Sequence, residues 1–399
     1  MRVLVCASAA PLPPLDGMRL QLRTLVEALA VEHEVCVVAL RWPDQGNDQG
    51  NELEGVELMA LDAPAPGLAE RARDRAAALV LRRPVDWARL SRPFADVLPA
   101  LVSTRHFDVA HVALDDLAPV APLLAGVPAV VAPLDARHRN IRAQRADATG
   151  GARLWRAQQE RSVRRALGPA LRPYRAAVFV TDDDARAVQR LAPSLRTVVI
   201  PLAVDAGAFA RPATEPPRDP ELIVLTGALS APATADAARR LAECILPLVR
   251  RRVPDARLAL VGRRSPASVR ALVALPGVEV VADPPDLRPW LWRAGAVACP
   301  RSHGTGMKNT VLEAMASGAA TVATAVACRG LDVRPGDQLL QAESDEDLAA
   351  ALVDVLSDPA LRQRLGDAAH AHVVAHHSPA VIAARYTELY EDVVASASS

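Results

Sequence analysis

Short apolar runs alternate along this chain with longer stretches in which apolar positions recur every three or four residues, and the whole alternation occurs twice. Runs of that length flanked by turn residues read as buried strands, and the longer stretches read as amphipathic helices. The first series predicts strands over 3–6, 34–40, 56–61, 109–112, 129–132, 177–180 and 197–200. The second predicts strands over 222–226, 257–261, 278–281, 296–299 and 320–323, and from about Ser344 to Ala395 the pattern is helical throughout. Strands that alternate with helices form parallel sheets covered on both faces, so the fold class is α/β with two doubly wound units.

Between the two series lies a proline-rich stretch, 201–220, which reads as a stiff and poorly helical linker. It divides the chain into a first domain over 1–202, rejoined by the terminal helix at about 378–399, and a second over 203–377. Ligands of such sheets bind beyond the carboxyl ends of the strands, which predicts a site in a cleft between the two units.

Composition narrows the chemistry. With 399 residues, 51% of them hydrophobic, the chain can bury real cores, and 46 basic residues against 46 acidic ones give no overall attraction for nucleic acid. Between Arg71 and Arg196, however, 22 arginines face 12 acidic residues, which suits an anionic acceptor or a membrane surface if it is not simply a solvated face. Cysteines 6, 36, 244, 299 and 328 show no metal-ligand spacing and read as reduced thiols. The start of the chain is too short in apolar residues for a signal peptide, and no run spans a membrane; a cytoplasmic location is expected, with contact at the inner face of a membrane open.

One residue type is nearly absent: a single lysine, Lys308, stands against 45 arginines. Where arginine serves every ordinary cationic role, a remaining lysine marks a place that needs a compact ammonium. Lys308 lies in Gly304-Thr305-Gly306-Met307-Lys308-Asn309-Thr310, a glycine loop entering a helix. Exposed backbone amides, the positive end of a helix and a full charge together suit a diphosphate. Glu313, on the same helix among small residues, has two oxygens to accept hydrogen bonds from vicinal hydroxyls, as of a ribose. Gly227 and Gly262 each close a strand of the second unit, and Arg263 follows the latter. In the first unit, Asp16 and Gly17 stand at the head of a helix, where a glycine lets a ligand approach free amides or simply makes a turn.

At this point the residues resemble a known family. Gly304-Thr-Gly-Met-Lys-Asn-Thr-Val-Leu-Glu-Ala-Met-Ala-Ser-Gly318, followed by Thr321-Val-Ala-Thr324 and Arg329-Gly-Leu331, is similar to the donor-binding signature of GT-B glycosyltransferases of the GT4 type (group 1), in the branch reading G-x-G-x-K-N-x-V-L-E-A-M-A. Further landmarks, among them Phe107-Asp-Val-Ala-His111, Val180-Thr-Asp-Asp-Asp184 and Val261-Gly-Arg263, fall in the family's order over almost the whole chain. The resemblance implies a retaining transferase that needs no metal or other cofactor and moves a sugar from a nucleoside diphosphate sugar to a hydroxyl acceptor: a glycolipid, a polysaccharide intermediate or a secondary metabolite. The composition fits a high-GC bacterium. Catalysis is then mostly stabilisation of the departing diphosphate, by Lys308, the loop amides and either Arg301 or Arg263.

The chain departs from the family at three places. Ala228 stands where many members carry an arginine, with no lysine following. Thr305 replaces the first of two paired glutamates, and Ala113 replaces a histidine two residues after His111. His111 is counted with the acceptor-side candidates, although a lone histidine beside apolar residues reads more readily as a buried strand residue. The stretch 133–140 lacks a helical apolar pattern and reads as a loop, in which Asp135 or His138 could orient the acceptor. Two other readings follow from these losses: a non-catalytic nucleotide-sugar binder supporting another transferase, and a nucleotide-sugar 2-epimerase of the same fold. A phosphorylase needs a cofactor lysine outside this loop, which a one-lysine chain does not have.

Overall fold

Strands apolar on both faces can only lie inside a parallel sheet with helices above and below. In the computed structural model, which describes residues 1–13, 17–42, 53–64, 67, 69–70, 72, 74–76, 84, 86–146, 148–215 and 217–397, two such sheets form. The first contains β1 (Arg2–Ala7), β2 (Glu34–Arg41), β3 (Val56–Asp62), β4 (Val109–Ala113), β5 (Ala129–Leu134), β6 (Ala176–Phe179) and β7 (Thr197–Val199). Their order is β3-β2-β1-β4-β5-β6-β7, and every pairing is parallel. Helices α1 (Gly17–Ala30), α2 (Trp87–Thr104), α3 (Arg137–Ala146), α4 (Gly150–Leu171) and α5 (Asp182–Gln189) connect them, with a 3-10 helix over Asp115–Leu124.

The second sheet contains β8 (Asp219–Ala228), β9 (Arg257–Arg263), β10 (Val278–Ala282), β11 (Ala294–Cys299), β12 (Thr321–Ala323) and β13 (Leu340–Gln341), in the parallel order β10-β9-β8-β11-β12-β13. Its longer helices are α6 (Pro232–Arg240), α7 (Asn309–Ala316), α8 (Asp345–Ser357) and α9 (Pro359–His377), and α10 (Pro379–Ala397) ends the described chain. The chain separates into two units, Met1–Ala203 with Pro379–Ser399, and Val204–Ser378.

In unit 1 the strict alternation of side chains along each strand sorts the core into two layers. Leu4, Cys6, Ala110 and Val112 pack toward Leu90, Phe94 and Leu98 of α2 and Leu167 and Leu171 of α4. Val3, Val5, Val109 and Val130 face the other way, toward Val26 and Leu29 of α1 and Ile382, Tyr386, Leu389 and Tyr390 of α10. His111 belongs to this second face. Its Nδ1 lies 2.7 Å from the Tyr390 hydroxyl, and its ring centroid is 5.3 Å from that of Tyr386. Burial pushes the imidazole down to about 4, so it is neutral at ordinary pH. His111 therefore fixes the returning helix to the sheet and is not available as an acceptor-side residue.

Two further expectations change. The stretch 201–220 is not a free linker: β8 begins at Asp219, a single helical turn Ala206–Phe209 is capped by Asp205, and the Arg218 guanidinium donates to the carbonyls of Leu291, Trp292, Ala294 and Ser317. Five inward-facing donors on one planar group can join carbonyls that no local pattern relates. The stretch 133–140 is not a loop throughout. Helix α3 starts at Arg137 despite its low apolar content, because it lies against α4 and Arg139 reaches Asp184 at 3.1 Å. His138 is consequently buried, and desolvation together with Arg164, Arg139 and Arg190 pushes it down to about 4, against the opposing pull of Asp184. Asp184 itself caps α5 with Thr181, whose hydroxyl accepts from the Asp184 N–H.

Replacing Tyr390 by Phe is expected to lower stability by about 1–2 kcal/mol, the usual cost of leaving one buried partner unsatisfied, as read from denaturant unfolding. The effect carries a pH signature. His111 titrates lower when folded than when unfolded, so the stability that its neutral form gives is complete above the ordinary histidine range and is lost as pH falls toward 4.

Candidate active site

The carboxyl ends of β8 and β9 in unit 2 are held closer than any side chain allows. A Cβ on Gly262 would lie 1.8 Å from the Gly227 carbonyl oxygen, and one on Gly227 (φ +141°) would meet Thr310 and Thr234. Glycine at both strand ends thus lets the backbone of β8 run beside the first turns of α6 and α7. Arg263, the next residue, is exposed.

The loop from Arg301 to Lys308 crosses this end of the sheet. Gly304 (φ +135°) and Gly306 (φ +65°) take backbone conformations that L side chains avoid. The Lys308 side chain folds back into the turn they make. Its ammonium donates to the carbonyls of Thr305, at 2.5 Å, and Gly306, at 2.6 Å, and the residue is only 7% exposed. Arg329 donates to the Gly304 carbonyl at 3.2 Å, the Thr324 hydroxyl donates to the Arg301 carbonyl at 2.6 Å, and the Arg301 guanidinium donates to the Thr234 hydroxyl at 2.8 Å. Thr234, Thr324 and Arg329 were not among the sequence candidates. Thr324 and Arg329 lie within the motif that carried the resemblance, whereas Thr234 has no sequence signal, since it is a first-turn threonine in an ordinary helix.

Lys308 is also the residue that precedes α7, and its own side chain does not cap that helix. Its positive end therefore faces the loop. On its inner side Glu313 is 7% exposed, and among the described residues it makes no ion pair or side-chain hydrogen bond. Burial alone pushes its carboxyl up to about 7. A surface glutamate paired with arginine is thereby excluded. The Thr226 and Thr305 hydroxyls are likewise buried without a partner among the described residues. Met307, Asn309 and Thr310 complete the turn into α7, with Met307 buried. All the donor-side candidates thus converge on one end of one sheet.

In unit 1 the candidates scatter. Asp16 lies outside the described residues, and Gly17 opens α1. His111 and His138 are core residues, as described above. Asp135 follows β5, on the same sheet end as a pair that the sequence reading passed over, Asp115 and Asp116. Both sit just beyond β4, at the start of the 3-10 helix, and burial raises both carboxyls, that of Asp115 to about 7. The signal that could have found them is the Leu-Asp-Asp step straight after a buried strand, where apolar pattern ends abruptly.

Residues 220–358, the greater part of unit 2, match the family described as "Glycosyl transferases group 1". No curated protein matches the chain in sequence. Sucrose-phosphate synthase from Thermosynechococcus elongatus is similar in structure, with a TM-score of 0.73, 19% identity, and coverage of 99% of this chain and 100% of that one. HepE from Anabaena, solved with UDP and glucose, has a TM-score of 0.67 at 13% identity, covering 98% and 100%. WaaG, a glycosyltransferase involved in lipopolysaccharide biosynthesis, has a TM-score of 0.64 at 15% identity, covering 98% and 99%. The fold is α/β with two Rossmann-like units, its structural neighbours are GT-B glycosyltransferases, and the chain carries a group 1 glycosyltransferase domain. No helix among the described residues is long and apolar enough to cross a membrane.

Glu313 gives a prediction of definite sign. Its carboxyl titrates at about 7 when folded and near 4.5 when unfolded, so the folded state holds the extra proton between those values and loses stability as pH rises through them. Glu313→Gln should therefore raise the melting temperature of the ligand-free protein more at pH 8 than at pH 5. Equal shifts at the two pH values would show that the carboxyl is not held in the protonated form.

Proposed function

We propose that this protein is a retaining, metal-independent glycosyltransferase that moves a sugar from a nucleoside diphosphate sugar to a hydroxyl acceptor. The observation that carries the reading is the combination in unit 2 of a glycine turn, the start of a helix, a lysine at that start and, further along the same helix, a buried carboxyl with no partner among the described residues. A diphosphate takes the first three, and a ribose diol takes the fourth, since a carboxylate accepts from both hydroxyls at once. UDP is the first choice of nucleotide, because HepE was solved with UDP and with UDP-glucose.

In this reading Gly227 and Gly262 leave room for the donor backbone, and Thr305 offers a hydroxyl where relatives offer a carboxylate. Arg301 or Arg263 adds positive charge near the leaving phosphate. Lys308 acts chiefly through the loop: by holding the Thr305 and Gly306 carbonyls it turns the following amides outward, and its charge favours the diphosphate that they bind. The departing diphosphate oxygen receives the acceptor proton on the same face of the sugar, so the protein supplies positioning and electrostatics and no nucleophile. The same reading places the enzyme in the cytoplasm. Helices α3 and α4, with nine arginines against the single acid Glu160, would suit contact with the anionic inner face of a membrane.

A second reading has one observation in its favour. The Lys308 ammonium is directed at backbone carbonyls, as it would be in a chain that keeps the nucleotide-sugar fold but only binds the donor. The two readings separate in one assay. Catalysis predicts that UDP raises the melting temperature and that UDP-glucose is turned over to UDP, with EDTA without effect; a binder shows the thermal shift and no UDP release.

Lys308→Arg is expected to lower UDP release by about ten- to a hundredfold, the range for one lost charge-assisted hydrogen bond, because a planar guanidinium cannot reach both carbonyls inside the turn. A variant with wild-type rates would remove Lys308 from the mechanism.

A further inference from the structure

Unit 1 contains a buried acidic group for which the fold itself has no use. Asp115 is 6% exposed, and its Oδ2 is buried with no hydrogen-bond partner among the described residues. Its other oxygen, Oδ1, stands 3.7 Å from the Arg137 guanidinium. Asp116, whose side chain bonds Ser8, adds a second buried oxygen, Oδ1, without a partner among the described residues. An orphaned carboxylate oxygen destabilises the free protein, so a site that keeps two of them is built to receive donors.

The backbone around this pair is also held away from its relaxed conformations. Leu114, the residue between β4 and Asp115, has φ +73° and ψ +155°, and Leu134, at the end of the neighbouring strand β5, has φ +64°. Branched side chains rarely adopt either conformation, and the adjacent ladder holds both in place: the Leu114 N–H donates to the Ala132 carbonyl, and the Leu134 carbonyl accepts from Val180. The strained steps carry the chain over the carboxyl end of the sheet, where Ser8 follows β1. Trp42, just past β2, donates its indole N–H to the Ser8 carbonyl at 2.8 Å. The side chain of Asp116 also bonds Ser8, so the acid pair and the indole share this residue.

Resting on the glycosyltransferase reading above, we propose that Asp115 binds the acceptor by accepting a hydrogen bond from its hydroxyl or amino group, and that Asp115, Asp116 and Asp135 together exclude acceptors that carry a phosphate or carboxylate at that end. The charge balance supports the class. Asp116 and Asp135 lie close enough to act on Asp115 electrostatically, and Arg137 is the cation that opposes them, already shared with Asp86 at 3.8 Å. Burial raises the Asp115 carboxyl to about 7, a cost that a bound hydroxyl or ammonium donor would offset and a second anion would increase. The acceptor end is thus an uncharged or amino-bearing polyol, such as a sugar ring, and not a sugar phosphate.

The test uses the full chain with UDP-glucose as donor and measures UDP release with water alone and with glucose, glucosamine, glucose 6-phosphate or glucuronate at equal concentrations. Glucose or glucosamine should raise UDP release above hydrolysis by water, and the two anionic sugars should not. Asp115→Asn should raise the KM for the accepted sugar about tenfold or more, while the thermal shift caused by UDP stays at the wild-type value, which also shows that the variant is folded. Asp116→Asn, which leaves Asp115 in place, should instead relax the discrimination against glucose 6-phosphate. Failure of both uncharged and amino sugars to act, preference for an anionic sugar, or an unchanged KM in Asp115→Asn would overturn the proposal. A chain that UDP does not stabilise at all would count against the donor reading, a distinct failure.

Discussion

The loop between β11 and α7 depends on a single buried ammonium. Lys308 places its charge where water is scarce, and the desolvation is offset only because two carbonyls of its own turn accept from it at short range. Glycine at 304 and 306 gives those carbonyls the required directions, and a Cβ at 304 would already stand 3.3 Å from the lysine Cε. Arg329, Thr324, Arg301 and Thr234 then fasten the outer side of the loop to β12, the following turn and α6. An arginine, which this chain uses at every other cationic position, is too long and too flat for such a turn. The compositional anomaly and the local geometry have the same cause.

Three buried ionisable groups show how differently a fold can treat such residues. His111 has a partner in Tyr390, stays neutral, and joins α10 to the sheet. Glu313 and Asp115 have a free carboxylate oxygen each or make no bond at all, and both titrate near neutrality because nothing replaces the water they lost. The first arrangement stabilises the unit. The other two lower stability in the ligand-free protein and are explained by donors that arrive from outside. Asp115 sits just past the carboxyl end of β4 in unit 1, and Glu313 sits in the helix that follows β11 in unit 2.

Much of the architecture was legible in the chain. All seven strands predicted for the first sheet form, as do five of the second, because their apolar runs are flanked by turn residues and leave no alternative period. The short edge strand Leu340–Gln341 was not visible, since two residues carry no pattern. Helix α3 was missed for the opposite reason: Arg137, His138, Arg139 and Asn140 have no apolar stripe, and it is the contact with α4 and Asp184 that makes them helical. The tail was readable as helix, and α10 lies with unit 1 while α9 lies with unit 2.

The sequence by itself determined the two α/β units and the donor-side loop, because glycine spacing, helix starts and one lysine are local features whose consequences reach only a few residues. Tertiary structure decided what those features do. It turned Lys308 inward, left Glu313 without a partner, removed His111 and His138 to the core, and brought Asp115, Asp116 and Asp135 together from two strand ends and their following turns. Burial and pairing depend on residues far apart along the chain, and a pattern confined to neighbours cannot record them.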